Sequence, residues 1–76
     1  MTQRHDGSYG VRLDATDGTV WWETRSATMA KHVRRVVQAW TGYRDERTLR
    51  RLAEFAMARP GCWTRSILAE FQNGGD

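Results

Sequence analysis

The chain has little of what secreted, membrane or metal-dependent proteins rely on. One cysteine, Cys62, cannot close an internal disulfide, so folding does not depend on oxidation. His5 and His32 stand far apart, and with a lone cysteine they give no metal-ligand spacing. No apolar run reaches the roughly 18 residues that span a bilayer. The opening MTQRHDGSYG holds no hydrophobic segment of a signal peptide. A cytoplasmic protein with no membrane partner is therefore expected. Glycines are scattered rather than gathered into a phosphate-cradling loop. Asp14 and Asp17 beside Gly18 lack the further oxygens and closing Glu of a calcium loop, and read as turn residues. Cys62 follows Pro60-Gly61 at a helix start, where a thiol pKa can fall, but the sequence sets no base beside it. It reads as a small buried side chain. No catalytic set, cofactor or small-molecule substrate is expected.

What is present suits one small globular domain. The 76 residues are 39% hydrophobic and 28% charged, and they form a single unit over 1–76, with 1–8 and 73–76 read as frayed termini. Lysine is scarce: eleven of the twelve basic side chains are arginine. That bias reflects either a GC-rich genome or a surface made to fork onto phosphates and carboxylates, where arginine outperforms lysine. Four tryptophans are more than so small a core obviously needs, which leaves at least one for a partner.

Residues 9–25 predict a β-hairpin turning at Asp17-Gly18, a two-residue turn signal flanked by β-formers. That loop sets Ala15 opposite Val20, Leu13 opposite Trp22, Arg12 opposite Glu23 and Val11 opposite Thr24. Val11, Leu13, Val20 and Trp22 then share one face, and Arg12–Glu23 becomes a cross-strand ion pair. A three-residue loop with a bulge would instead exchange Trp21 and Trp22 between faces. Either way, one of the two points outward.

Three helices follow. Over 27–41, Met29, Val33, Val36, Val37 and Trp40 make one apolar stripe, with Ser26 as N-cap and Gly42 as the residue past the end. Over 46–59, Leu49, Leu52, Ala53 and Ala56 point inward, Phe55 and Met57 flank them, and Pro60-Gly61 stops the helix. Arg47, Arg50, Arg51 and Glu54 lie outward, with Glu54 within reach of Arg50. Over 64–72, capped by Thr64, the apolar face is Trp63, Ile67, Leu68 and Phe71. The expected fold is α+β: an N-terminal two-stranded antiparallel hairpin packed on three helices, in the order β-β-α-α-α. A lone hairpin is marginal in water, so its Val11/Leu13 face is expected on the helices.

Charge is unevenly distributed. Residues 31–51 carry seven basic and two acidic side chains, a net of +5; the remainder carries five basic and seven acidic, a net of −2. Such a face is either simply solvated or an electrostatic footprint for nucleic acid or an acidic protein patch. A helix-turn-helix over the second and third helices is the motif-level alternative. It suffers because the last helix offers only Arg65, Ser66 and Gln72 to read base edges. The candidate partner surface is Lys31, Arg34, Arg35, Arg47 and Arg51 with the outward tryptophan, taken as Trp21. An exposed tryptophan beside arginine serves base stacking or anchors a protein interface.

In size, in its hairpin-plus-helices plan and in lacking a catalytic set, the chain resembles small phage-encoded inhibitors, the anti-CRISPR proteins among them. The resemblance is one of general character. It implies a non-enzymatic protein that docks on a host protein or ribonucleoprotein complex and blocks its access to DNA. Being basic, unlike the DNA-mimicking members, it would meet acidic protein surface or bound nucleic acid. The alternative is a nucleic-acid-binding regulator using the basic helices or a helix-turn-helix.

Overall fold

A computed structural model of the chain describes residues 2–3 and 7–74. It has the expected α+β architecture, an antiparallel hairpin followed by three helices. The hairpin strands are β2 (Tyr9–Ala15) and β3 (Gly18–Thr24); a two-residue strand, β1 (Thr2–Gln3), adds to the outer edge of β2. Part of the 1–8 segment read as frayed is therefore paired, Thr2 with Gly10 and Gln3 with Tyr9. The remainder of the two terminal readings falls partly on 1, 4–6, 75 and 76, outside the described residues.

The hairpin register differs from the expected one by two residues. Ala15 pairs with Gly18, Leu13 with Val20, Arg12 with Trp21 and Val11 with Trp22, so the loop is Thr16-Asp17. A type I′ turn at Asp17-Gly18 needs positive φ at both positions. Of the two, only Gly18 has it, at +139°, and among the described residues no non-glycine does. The loop residues also bond elsewhere: Thr16 N–H donates to the Arg44 carbonyl at 2.8 Å, and the Asp17 carboxylate accepts from Glu46 N–H at 2.9 Å. Because the slip is an even number of residues, the expected alternation of faces survives it. The Arg12–Glu23 pair does not. Arg12 lies opposite Trp21 and pairs along its own strand with Asp14, at 3.2 Å.

Helices α1 (Ala27–Ala39) and α2 (Glu46–Met57) cover one face of the sheet, while α3 (Thr64–Gln72) packs on the other two helices and not on the sheet. Ser26 caps α1 as expected, its Oγ accepting from Met29 N–H. Asp45 caps α2 through Thr48. The core joins Val11, Leu13 and Val20 of the sheet to Val33, Val36 and Val37 of α1, Leu49 and Leu52 of α2 and Ile67 of α3. Each such side chain contributes about 1.5–3 kcal/mol by leaving water. Met29, Trp22 and Trp40 are half-buried at its margin, and Phe55, expected on a flank, is 7% exposed.

The joints depart from expectation for local reasons. The α1 helix stops at Ala39, with Trp40 extended. Gly42 has no positive φ; instead the Trp40 indole folds back onto it, and a Cβ there would overlap the ring. Trp40 Nε1 donates to the Tyr43 carbonyl at 2.7 Å, and Arg44 donates to the carbonyls of Val37 and Trp40. Arg50 pairs with Glu46 at 3.1 Å rather than with Glu54. Trp63, not Thr64, occupies the N-cap of α3, and it offers no side-chain cap.

Candidate functional site

The basic side chains divide by what the fold does with them. Arg44 caps the end of α1, Arg50 pairs with Glu46, and Arg12 pairs with Asp14. Arg59 lies over the Phe55 ring at 3.5 Å and pairs with Glu70 at 3.2 Å, tying α2 to α3. Among the described residues, Arg25, Lys31, Arg34, Arg35, Arg47 and Arg65 carry no ion pair or side-chain hydrogen bond, and all six are exposed. Arg47 favours the ionised Asp45 cap of α2, and the others make no ion pair among the described residues.

Lys31 and Arg35 are one helical turn apart on α1, so they stack on the same side of it. With Thr28 and His32 they face the α2–α3 turn, Pro60–Thr64, across a cleft of about 530 Å³. His32 is held in the wall, its Nε2 donating to the Ala56 carbonyl at 3.0 Å. On the opposite wall, Cys62 is exposed rather than buried as the sequence reading had it, and Trp63 is 82% exposed. The start of α3 also opens here, without a side-chain cap over its first N–H groups. Among the described residues no acid lines this cleft.

A second cleft runs on from Thr64 along α3, between Arg65 and Leu68 on one side and Ala39 and Trp40 on the other. A third lies at the far side of Trp40, where Arg51 stands with Tyr43 and Phe71.

The expected partner surface is thus dispersed. Lys31 and Arg35 share the first cleft, Arg51 lines the third, and Arg34 and Arg47 lie on exposed helix surface lining none of the three. Trp21 is 57% exposed, but it projects from the sheet face that the helices leave uncovered, with Arg12, Asp14, Thr19 and Glu23. Trp22 is the inward one: half-buried, its Nε1 donates to Met57 Sδ at 3.0 Å.

Sequence reasoning missed Trp63 and Arg65 as site residues. Trp63 counts with Ile67, Leu68 and Phe71 in the expected apolar face of the last helix. At the N-cap its backbone is extended, with φ −68° and ψ 145°, so helical periodicity does not govern where it points. The available signal was the cap itself: a residue before a helix need not follow that helix's stripe.

Compared with protein-family models, curated proteins and solved structures, the chain matches none. Among the described residues no three His, Cys, Asp or Glu side chains gather as metal ligands, and no helix is long and apolar enough to cross a membrane.

Proposed function

We propose that this protein is a non-enzymatic binding module for nucleic acid, and that the cleft between α1 and the α2–α3 turn is its working surface. The observation that carries this reading is the company Trp63 keeps. A large aromatic is exposed in the same cleft as two cations that no acid among the described residues neutralises. Lys31 and Arg35 would contact phosphates, and the uncapped start of α3 adds favourable potential for an anion. Trp63 supplies a flat ring where a base can stack.

A second reading has support of its own. Trp21 stands on the open sheet face beside Arg12, and an exposed tryptophan with arginine is the composition of an interface anchor. On that reading the module is an inhibitor of the anti-CRISPR kind, docking on a nucleic-acid-handling complex through the sheet.

The two readings separate in a binding assay. Fluorescence anisotropy with labelled oligonucleotides is expected to show binding that weakens with salt. Replacing Lys31 and Arg35 together by Glu should abolish it, and Trp21→Ala should leave it unchanged. Absence of binding to any nucleic acid at about 50 mM salt, where phosphate contacts are strongest, would sink the first reading.

A further inference from the structure

We infer that the ligand of this surface is a single strand, lying in a groove along α1 with an unpaired base stacked on Trp63. This rests on the reading that the partner is nucleic acid and names which kind.

The first observation is continuity. The cleft holding Lys31, Arg35 and Trp63 and the cleft holding Arg65 and Leu68 both have Thr64 in their walls. Together they follow one side of α1 from Thr28 to Ala39, which at about 1.5 Å per residue is a track of roughly 16 Å. Cations occur along it at Lys31, Arg35 and Arg65, and among the described residues none of them is paired and no acid stands in the walls of either cleft. A polyanion can therefore follow the track without meeting charge of its own sign.

The second observation is the aromatic. In a duplex the faces of internal bases are already stacked on one another, so a ring like Trp63 finds a π-face only on an unpaired base. Phosphate contacts alone would not need Trp63 exposed. Next to it the groove turns apolar, with Leu68, Ala39 and the half-buried Trp40, a floor suited to bases rather than to a second sugar–phosphate backbone.

The third observation weighs against the duplex alternative. To read a major groove, α3 would need polar side chains along its outer face. Its exposed polar residues are Arg65, Ser66, Glu70 and Gln72, of which Glu70 is taken by Arg59, and one cation among them is a thin set for reading base edges. Stacking on one tryptophan with phosphate contacts on either side carries little sequence information, so binding should tolerate any unstructured sequence.

The test uses the full chain with an oligothymidylate and an oligouridylate of about ten nucleotides, and a duplex of matched length. Both single strands should bind at least about tenfold tighter than the duplex and quench tryptophan emission, because stacking on the ring is sequence-tolerant and open only to unpaired bases. A gap between the two strands would report the 2′-hydroxyl or the thymine methyl, and either one outbinding the duplex supports the inference. Affinity should fall about 20- to 50-fold between 50 and 200 mM salt, as three or four phosphate contacts to a single strand require. Trp63→Ala should cost about 5- to 150-fold, the range for one stacked base, while Trp63→Phe keeps most of the affinity. Trp63 is exposed, so both variants should melt like the parent chain, which circular dichroism checks. Equal affinity for duplex and single strand, or a Trp63→Ala variant that binds as well as the parent, would overturn the single-strand inference while leaving nucleic-acid binding in place. Failure to bind all three probes removes both.

Discussion

The helix side of the molecule and the open face of its sheet each expose a tryptophan, but in different company. Around Trp63 the charges among the described residues are Lys31 and Arg35, with no acid in the cleft. Around Trp21 the signs are mixed: Arg12 is paired with Asp14, and Glu23 shares the face. Net charge does not distinguish these regions so well as unpaired charge does. A paired arginine is already committed to the fold, and exposed pairs project little field beyond a Debye length of about 10 Å. The excess of arginine in the sequence is thus two populations: one holds helix ends and elements together, the other makes no ion pair among the described residues.

The largest effect should come from testing whether α1 really has a dry side and a surplus side. Val36→Asp puts a charge at a fully buried position in the middle of the core. It should cost more than about 4 kcal/mol, comparable with the whole stability of so small a domain, and leave the chain unfolded at 25 °C by circular dichroism. Two residues and one residue earlier, Arg34→Ala with Arg35→Ala should shift stability by no more than about 0.5 kcal/mol, since neither side chain has a partner among the described residues. A double arginine variant as unstable as Val36→Asp would mean that these cations are structural, and the distinction between the two populations would fail.

A smaller effect is expected where the sheet's two faces meet in adjacent residues. Trp22 packs against the core and donates to Met57, so Trp22→Ala should cost about 2–3 kcal/mol, below the range for a wholly buried tryptophan. Trp21→Ala should stay within about 0.5 kcal/mol. Urea denaturation of the two variants checks the difference. Similar losses in both would mean that the open face is part of the fold and not a spare surface.

Much of this was legible in the sequence because period decides it. The α1 and α2 stripes and the alternation of β2 and β3 follow from repeats of 3.6 and 2, and the buried valines and leucines lie where those repeats put them. Side chains that answer to partners distant in sequence were not legible. The hairpin loop shifted because Thr16 and Asp17 bond to Arg44 and Glu46, about 28 residues away in sequence. Arg50 had a carboxylate four residues away on each side, and periodicity gives no rule for choosing between Glu46 and Glu54. The candidate site suffered most. A helical stripe gives the direction of Lys31 and Arg35 but not which loop comes to face them, and the Pro60–Thr64 turn that completes the cleft has no period. Charge density pointed to α1, and only the tertiary fold could bring Trp63 to it.

The smallest effect concerns the seam where sheet and helices join. Asp45 caps α2, with Thr48 Oγ1 donating to its carboxylate at 2.6 Å and Thr48 N–H donating at 3.3 Å. The Thr48 hydroxyl, chiefly, and the backbone N–H groups and Arg47 hold the Asp45 carboxyl below its usual value of 3.8. A carboxyl with a lowered pKa in the folded state binds its proton less readily there than in the unfolded chain. Its contribution is therefore fully present above the ordinary value, and it is lost as pH falls through the folded value. The melting temperature should accordingly decline below about pH 4, and Asp45→Asn should flatten that part of the decline. Asparagine still caps a helix but does not titrate, so at neutral pH the variant should melt close to the parent chain. Asp17 meets the same helix start from the hairpin side, accepting from Glu46 N–H, so Asp17→Asn serves as the control for a carboxylate acting across the seam. An acid decline of unchanged steepness in Asp45→Asn, but a shallower one in Asp17→Asn, would place the acid-sensitive contact in the hairpin loop. The sheet would then govern the joint, and the α2 cap would be only its neighbour.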